Sequence, residues 1–398
     1  MAADTSDPQL IYELVRRALD GEITLFPLDH RMPAGEAREL VRRVRPTQWA
    51  DGRAIAGGLG AADDVALVVA TSATTGAAKA VELSARALAS SARGFAAATG
   101  SLPEDRWLSC LPLSRIAGLS TMVRSILAGT HPETVLPFDA ALVAKGEAQL
   151  ISLVPAMLHR LLQLGWDPSP YRAILLGGGP IPNEMVREAK ERGGNIVATY
   201  GLTETCGGCV YDGAPLGGVE VDIDATSQIL VKGNVVMNGY RLDPQISAAR
   251  LQDGWLRTGD LGSLQGGILV VNGRMDDVII TGGEKVSPVM VEQVLAQIEG
   301  VVDALLTSVP DAEWGRKTIA LVVRSGSLDE QKVRAAAKER LAASSVPSHV
   351  FFVESLPKTA AGKADRLAAQ GVAASLHAAT SREQKAHTDA SSGIEDKQ

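Results

Sequence analysis

The stretch VALVVATSATTGAAKA, residues 65–80, predicts a buried strand that leads into a turn of small and hydroxyl-bearing residues. Its second part, TSATTGAAK at residues 71–79, ends in Lys79. Hydroxyl groups, backbone N–H groups and one cation can together surround phosphate oxygens, although the same composition is also typical of a solvated loop. A Walker-type phosphate loop is excluded, because AVEL rather than Ser or Thr follows Lys79.

Apolar strands alternate with helical patterns from Val65 to Tyr200. This alternation predicts an α/β fold with mostly parallel sheets, helices on both faces and ligands at the carboxyl ends of the strands. Short strands with Gly and Asp turns then predict an antiparallel subdomain without helices, followed by a small α+β domain. We expect a large N-terminal domain at residues 1–273, a C-terminal domain at residues 274–369 and a disordered tail at residues 370–398.

The composition of the chain excludes several classes of partner. A net charge of -7 argues against nucleic acid and against an anionic membrane surface. The first residues, MAADTSDPQL, lack the basic start and apolar centre of a leader, and no run reaches the roughly 18 apolar residues of a membrane span. We therefore expect a cytoplasmic protein with no membrane partner.

Three cysteines, Cys110, Cys206 and Cys209, are too few for a disulfide framework in 398 residues. The spacing CGGC at residues 206–209 could serve as a redox pair or as half of a zinc site. Neither a second cysteine pair nor a histidine lies near it in the sequence. We therefore predict neither a metal site nor a redox site here.

Five further motifs follow TSATTGAAK along the chain. They are GGGPIP (177–182), TYGLTET (199–205), RTGDLG (257–262), GRMDDVIITGGEKVSP (273–288) and PKTAAGKADR (357–366). In order and approximate spacing, the six motifs resemble those of the adenylate-forming superfamily of acyl-CoA synthetases, luciferases and nonribosomal adenylation domains. Each motif is weak alone, but six in register over residues 63–367 are specific. The resemblance implies ATP and Mg²⁺ as cofactors and coenzyme A as co-substrate.

The resemblance also implies which residues bind the nucleotide. Those matching phosphate contacts are Thr71, Ser72, Thr74, Thr75, Gly76, Lys79 and Thr203, those matching adenine contacts are Gly178, Gly179, Tyr200 and Gly201, and those matching ribose or phosphate contacts are Asp260 and Arg274. Glu204 matches the Mg²⁺ ligand, and a carboxylate beside a triphosphate suits a hard cation. Ala73 departs from the family, which usually has glycine at this position.

The resemblance implies a two-step reaction as well. Lys363 matches the lysine that enters the active site to form an acyl-adenylate, a step in which a cation would neutralise developing charge. Asp276 matches the hinge about which the small, mobile C-terminal domain then turns. Gly282 and Gly283 match the channel along which the coenzyme A thiol reaches the adenylate.

The early phosphate turn, TYGLTETCGGCVYDGAPLGGV and LPLSRIAGL at residues 111–119 most resemble the actinobacterial o-succinylbenzoate–CoA ligases of menaquinone biosynthesis. The resemblance places Gly177 and Gly207 at the acyl pocket. Arg115 stands where relatives commonly have an aromatic residue or histidine. It could pair with the second carboxylate of the substrate, or it could face outward at the start of a helix.

Two alternative functions stay open at this point. The chain could adenylate another aryl or alkyl acid and pass the acyl group to an amine or a carrier protein. It could be a relative that binds an adenylate without catalysis, although Glu204, Asp260, Arg274 and Lys363 are all present. The resemblance is also compatible with a homodimer.

Overall fold

The structure, a computed structural model, describes residues 1–71, 79–358 and 364–392. The chain packs into two units, one formed by residues 1–258 and 262–270 and the other by residues 259–261 and 271 onward. The functional boundary expected at residue 273 stays a prediction. Among the described residues, none of the helices has the length and apolar character needed to cross a bilayer.

The first unit begins with two paired strands and two amphipathic helices. The elements are β1 (Ala2–Asp4), α1 (Pro8–Leu19), β2 (Phe26–Leu28), α2 (Ala34–Val44), β3 (Val65–Ala70), β4 (Ala80–Ser84) and α3 (Ala85–Thr99). Asp7 caps α1 by accepting hydrogen bonds from the backbone N–H groups of Gln9 and Leu10. The buried face of α1 packs on the same core as β3 and β4.

The strand β4 was not predicted, and it changes the position of β3. Instead of joining the parallel sheet, β3 pairs antiparallel with β4, with Ala70 opposite Ala80 and Val69 opposite Val81. Every residue of β3 is buried, which a buried strand in either kind of sheet would show. The two strands flank residues 71–79, so the start and end of the predicted phosphate turn lie side by side.

The predicted parallel sheet is confirmed. Its region contains β5 (Trp107–Ser109), α4 (Ile116–Ala128), β6 (Glu133–Thr134), α5 (Ala140–Val143), β7 (Leu150–Leu153), α6 (Pro155–Gln163), β8 (Ala173–Leu176), α7 (Asn183–Glu191), β9 (Ile196–Leu202), β10 (Gly207–Tyr211) and β11 (Ala214–Pro215). The strand order is β11-β10-β9-β8-β7-β5-β6, and the strands from β9 to β6 are parallel. Neighbouring residues of β5 face opposite helices, because Trp107 packs on Phe95 of α3 and Leu108 shares a core with Leu158 of α6.

The antiparallel subdomain follows. It contains β12 (Val219–Ile223), β13 (Gln228–Gly233), β14 (Gly239–Tyr240), α8 (Pro244–Arg250), β15 (Leu251–Gln252), β16 (Trp255–Gln265) and β17 (Ile268–Arg274). Strands β12, β13, β16, β15 and β17 form one sheet, whereas β14 pairs with β4. The expectation that helices stop after Tyr200 is wrong for α8, which begins with Pro244 and is capped by the Asp243 carboxylate.

The second unit has its own apolar core. Its elements are β18 (Ile279–Thr281), β19 (Glu284–Val286), α9 (Pro288–Leu295), β20 (Val301–Asp311), β21 (Gly315–Arg324), α10 (Glu330–Lys338), β22 (His349–Phe352) and α11 (Arg366–Ser392). Strand β21 pairs antiparallel with β20 and parallel with β22. Val286, Val291 and Val333 are among the residues that fill the core between this sheet and the helices.

The tail differs from the expectation of disorder over residues 370–392, and residues 393–398 lie outside the described residues. Residues 370–392 continue α11, and Ala369 and Ala373 are fully buried against Leu305 and Leu321 of the sheet. Alanine has the strongest helix propensity, and a four-residue spacing places both alanines on one face of the helix. Because these side chains are small, the helix packs closely on the sheet, although the segment has few large apolar residues.

Candidate active site

The ends of the predicted phosphate turn are joined by their backbones. Thr71 N–H donates to the carbonyl of Lys79 at 2.8 Å, and the Thr71 hydroxyl lies 3.3 Å from the same oxygen. Both residues are half-buried. The structure thus places these two predicted phosphate ligands together. The remaining predicted residues of the turn, Ser72, Thr74, Thr75 and Gly76, and the departure at Ala73 lie outside the described residues, as does Lys363.

Tyr240 connects Lys79 to Glu204. The Tyr240 hydroxyl donates to Glu204 Oε1 at 2.8 Å, and Lys79 Nζ lies 5.2 Å from the centre of the Tyr240 ring. The Glu204 carbonyl also accepts from Met237 N–H at 2.8 Å, which fastens the turn of Glu204 to the segment before β14. The predicted phosphate lysine and the predicted Mg²⁺ ligand therefore lie in one cluster.

The first glycine after β8 lies directly against β9. A Cβ atom on Gly177 would lie 2.3 Å from Thr199 Oγ1 and 2.9 Å from the Thr199 carbonyl, so only glycine fits there. Gly178 has a φ of +81°, whereas Gly179 faces open space. Strand β8 pairs in parallel with β9, which leads into Tyr200. The carboxyl ends of β8 and β9 thus lie side by side and bring Gly177 next to Thr199, one residue before Tyr200.

A tight turn of residues 203–205 follows β9 and carries Thr203 and Glu204. Thr205, which is fully buried, holds the turn because its hydroxyl accepts from Leu202 N–H at 2.8 Å and donates to the Gly207 carbonyl at 2.7 Å. Gly201 pairs with the next strand so closely that a Cβ atom would lie 2.0 Å from that same Gly207 oxygen. This local bonding fixes the backbone of the turn that carries Thr203 and Glu204.

Arg115 and Gly207 lie at the same end of α4. Gly207, with a φ of +91°, approaches the first turn of α4, where a Cβ atom would lie 3.3 Å from Ser120 Oγ. Arg115 directly precedes α4, is half-buried, and donates from Nη1 to the carbonyl of Ala70 at 3.1 Å. The guanidinium of Arg115 thus contacts the residue that precedes the phosphate turn, and its contact with substrate stays a prediction.

Other predicted residues belong to the second unit. Asp260 is 7% exposed, and its Oδ1 lies 3.6 Å from Arg274 Nη1. Asp276 is exposed on a short 3₁₀ turn of residues 275–277. Gly282 and Gly283 have φ values of +57° and +83° between β18 and β19. Two consecutive residues with positive φ form the type I′ turn that tight hairpins prefer. The geometry of this hairpin therefore explains why both positions are glycine.

The cysteines are core residues. All three are buried, and burial raises the pKa of the Cys110 and Cys209 thiols to about 12 and also raises the pKa of Cys206. A thiol with a raised pKa is a poor nucleophile and a poor metal ligand at neutral pH. In the described parts of the chain, no group of three His, Cys, Asp or Glu side chains is placed to hold a metal ion.

Sequence reasoning missed Tyr240, which connects two predicted site residues, and Arg366, which links the turn that carries Asp276 to α9. Tyr240 was hidden because its partners Lys79 and Glu204 are far from it in the sequence. Arg366 lies within the quoted motif PKTAAGKADR, and its guanidinium contacts Asp277 and Glu292. The composition GYR at residues 239–241 and the position of Arg366 three residues after Lys363 were the available signals.

Known proteins match this arrangement. The AMP-binding enzyme family matches residues 27–241, and the AMP-binding enzyme C-terminal domain matches residues 290–363. The chain is 36% identical over 328 residues to the probable 2-succinylbenzoate–CoA ligase of Mycobacterium tuberculosis, covering 77% of this chain and 84% of that one. It is also 36% identical over 331 residues to the 2-succinylbenzoate–CoA ligase of Bacillus pumilus, covering 76% and 68%.

A solved structure is similar over nearly the whole chain. It is o-succinylbenzoate CoA synthetase (MenE) from Bacillus subtilis in complex with the acyl-adenylate intermediate OSB-AMP, with 28% identity, a TM-score of 0.79, and coverage of 92% of this chain and 87% of that one. The same synthetase has been solved with ATP and a magnesium ion. With two domain matches and relatives of this extent, the chain belongs to the AMP-binding enzyme family.

Proposed function

We propose that the protein is an AMP-forming acid–thiol ligase that joins 2-succinylbenzoate to coenzyme A. The observation that supports this proposal is the cluster of Lys79, Tyr240 and Glu204 beside the ends of the phosphate turn, because a nucleotide triphosphate with its metal ion needs both a cation and a carboxylate. The names of the similar ligases and the adenylate in the Bacillus subtilis synthetase support the choice of acid.

The first step is formation of an acyl-adenylate. A carboxylate oxygen of the acid attacks the α-phosphorus of ATP, and the bond from that phosphorus to pyrophosphate breaks. We assign phosphate binding to Thr71, Lys79 and Thr203, and neutralisation of the developing charge to Lys363. Gly177, Gly178, Gly179, Tyr200 and Gly201 would bind the adenine and the acyl edge of the site.

The second step transfers the acyl group. The coenzyme A thiol loses its proton to solvent, its sulfur attacks the acyl carbon, and the bond from that carbon to AMP breaks, which gives the thioester. For this step we retain Asp276 as the hinge residue, and Gly282 and Gly283 as part of the coenzyme A channel. Asp260 and Arg274 would bind the ribose hydroxyls, since their ion pair has a length of 3.6 Å and leaves Arg274 partly exposed.

The donor set fits magnesium carried by the nucleotide. Mg²⁺ is usually held by one or two carboxylates together with substrate phosphates rather than by a cage of protein ligands. Glu204 supplies such a carboxylate, and the described residues contain no cluster that would hold a metal without the nucleotide. When bound, Mg²⁺ would neutralise phosphate charge. Glu204 would orient it, and Lys79 would contact phosphate oxygens.

We propose that Arg115 binds the second carboxylate of the acid and so determines which acids the protein accepts. Arg115 and Gly207 lie at the same end of α4, and the resemblance assigns Gly207 to the acyl pocket. Guanidinium and carboxylate groups match in charge and geometry, which suits a dicarboxylate better than a fatty acid. We also propose that the protein acts in the cytoplasm, since its three cysteines are unpaired thiols.

The test is pyrophosphate release over a panel of acids, with and without coenzyme A. We expect 2-succinylbenzoate to react fastest and to yield AMP, pyrophosphate and the coenzyme A thioester. Lys363→Ala should lose acyl-adenylate formation but still convert a preformed acyl-adenylate to the thioester. Acyl-adenylate formation that is unchanged in Lys363→Ala, or an acyl product that needs an amine instead of coenzyme A, would overturn the proposal.

A further inference from the structure

We propose that Tyr240 is a positioning residue for the magnesium–ATP complex. Its hydroxyl orients the Glu204 carboxylate, and its ring places the Lys79 ammonium. This inference rests on the proposed function, because it assumes that Glu204 meets the metal and that Lys79 meets the phosphates. The family resemblance did not include Tyr240, and the structure supplies its contacts with Glu204 and Lys79.

The backbone of Tyr240 is fixed from both sides. Tyr240 pairs with Val81 of β4, which begins one residue after Lys79. Its N–H donates to Ser247 Oγ at 2.8 Å, and the N–H of Arg241 donates to the Ala80 carbonyl at 2.7 Å. The residue is 7% exposed, so its ring cannot swing into solvent without breaking this packing.

Arg241 strengthens this anchorage. Its buried guanidinium donates to the carbonyls of Val44, Leu59 and Gly60 at 2.5–3.0 Å, and it pairs with Glu82 at 3.1 Å. The residue next to Tyr240 is thereby attached to the N-terminal segment and to β4 at once. The backbone of Tyr240 is thus held rigidly, as a residue that orients a ligand requires.

The chemistry of the contacts explains why a tyrosine is suited to this place. A phenol O–H donates to Glu204 Oε1 and so fixes the plane of the carboxylate while leaving its negative charge intact. The face of the ring attracts the Lys79 ammonium without neutralising it. Lys79 and Glu204, both described, form no ion pair within 4 Å. Tyr240 keeps the two charges apart so that each remains available to a different part of the ligand.

The experiment compares Tyr240→Phe with Tyr12→Phe. Tyr12 is an equally buried tyrosine of the same unit, and its hydroxyl donates to the Thr130 carbonyl at 2.9 Å. Both variants lose one hydrogen-bonding hydroxyl and keep the ring. ATP binding is measured by calorimetry without acid, once with excess Mg²⁺ and once with a chelator, and thermal unfolding of each variant is recorded.

We expect Tyr240→Phe to weaken ATP binding about three- to tenfold with Mg²⁺ and to leave binding in the chelator unchanged. Tyr12→Phe should change neither value. A purely structural role of Tyr240 would instead lower the unfolding temperature and weaken binding equally in both conditions. That outcome, or Mg²⁺-dependent binding as strong as in the unaltered protein, would overturn the inference.

A third variant separates this inference from the proposed function. Glu204→Gln should reduce the gain in ATP affinity that Mg²⁺ provides. If Glu204→Gln leaves that gain unchanged, the assignment of Glu204 to the metal is wrong and the inference falls with it. If Glu204→Gln reduces the gain but Tyr240→Phe does not, the proposed function stands and only the role of Tyr240 is refuted.

Discussion

Arg366 and Glu292 form a two-pronged ion pair in the second unit. Arg366 Nη1 donates to Glu292 Oε1 at 2.7 Å, and Nη2 donates to Oε2 at 3.1 Å. Nε of the same guanidinium lies 3.3 Å from Asp277 Oδ2. One cation thus links α9, the start of α11 and the short turn that carries Asp276.

Glu292→Gln should destabilise the protein strongly. Glu292 is 13% exposed in its side chain, so the change removes the charge that mainly neutralises a largely buried guanidinium. Removing one member of a buried ion pair costs about 3 kcal/mol of unfolding free energy. Urea unfolding of the whole chain measures this loss.

The control is Lys332→Met, which removes an exposed pair with Asp329 in the same unit. Exposed pairs contribute little, and we expect a change below about 0.5 kcal/mol. Equal losses of unfolding free energy in the two variants would show that the pair between Arg366 and Glu292 contributes no more to stability than an exposed pair.

Gly177→Ala should be destabilising, and Gly179→Ala should not. The new methyl group at residue 177 would meet the Thr199 hydroxyl and carbonyl, whereas the one at residue 179 meets nothing within 4 Å. Overpacking of this kind costs about 1–3 kcal/mol, and an unhindered surface change stays within about 0.5 kcal/mol. Thermal unfolding of the two variants compares them directly, and an unchanged Gly177→Ala protein would mean that β9 can move away.

Arg115→Ala should raise the KM for a dicarboxylate acid about 10- to 100-fold, because a hydrogen bond between charged groups contributes about 1.5–3 kcal/mol. The KM for ATP should rise far less, since the contact of Arg115 near the phosphate turn is a single bond to the Ala70 carbonyl. Steady-state kinetics with both substrates varied separate the effects.

Arg86→Ala is the matched control, because Arg86 is an exposed arginine of the same unit that donates to Asn234. It should alter neither KM. A comparable rise for acid and ATP in Arg115→Ala would instead assign Arg115 to the phosphate turn alone.

The thiols should react only after unfolding. Burial raises the pKa of Cys110 and Cys209 to about 12, so the folded protein keeps these thiols protonated at pH 9.5. Unfolded thiols ionise near pH 8.5, so the stability that this burial provides is complete below pH 8.5 and declines as the pH rises toward 12. Labelling with a thiol reagent at pH 8 should detect no cysteine without urea and three with it. Rapid labelling of two cysteines in the folded protein would restore the redox interpretation of CGGC.

Local patterns predicted the parallel sheet and the helices that cover it. The strands β7, β8 and β9 are short apolar runs separated by helical periods, and each of them is recognisable from its own residues. The helices α1 and α2 were equally clear because their apolar residues recur at helical spacing. The motifs at the strand ends then indicated a nucleotide site.

Long-range pairing could not be predicted in the same way. Tyr240 reaches the cluster because β14 adds to β4, a pairing between residues 240 and 81 that no local pattern specifies. The length of α11 was missed because Ala369 and Ala373 bury little area of their own and depend on the sheet beneath them. Contacts of high sequence separation therefore account for the part of the site that was missed.

The contacts of Arg241 set a limit on how far the chain can be shortened from its amino terminus. Three of its partners are carbonyls between residues 44 and 60, a segment to which no chemistry is assigned. A truncated enzyme that begins after residue 60 would keep Glu82 as a partner for this cation but would lose the other acceptors. We therefore expect a fragment that begins after residue 60 to hold Tyr240 less firmly, although every residue assigned to the reaction lies beyond residue 70.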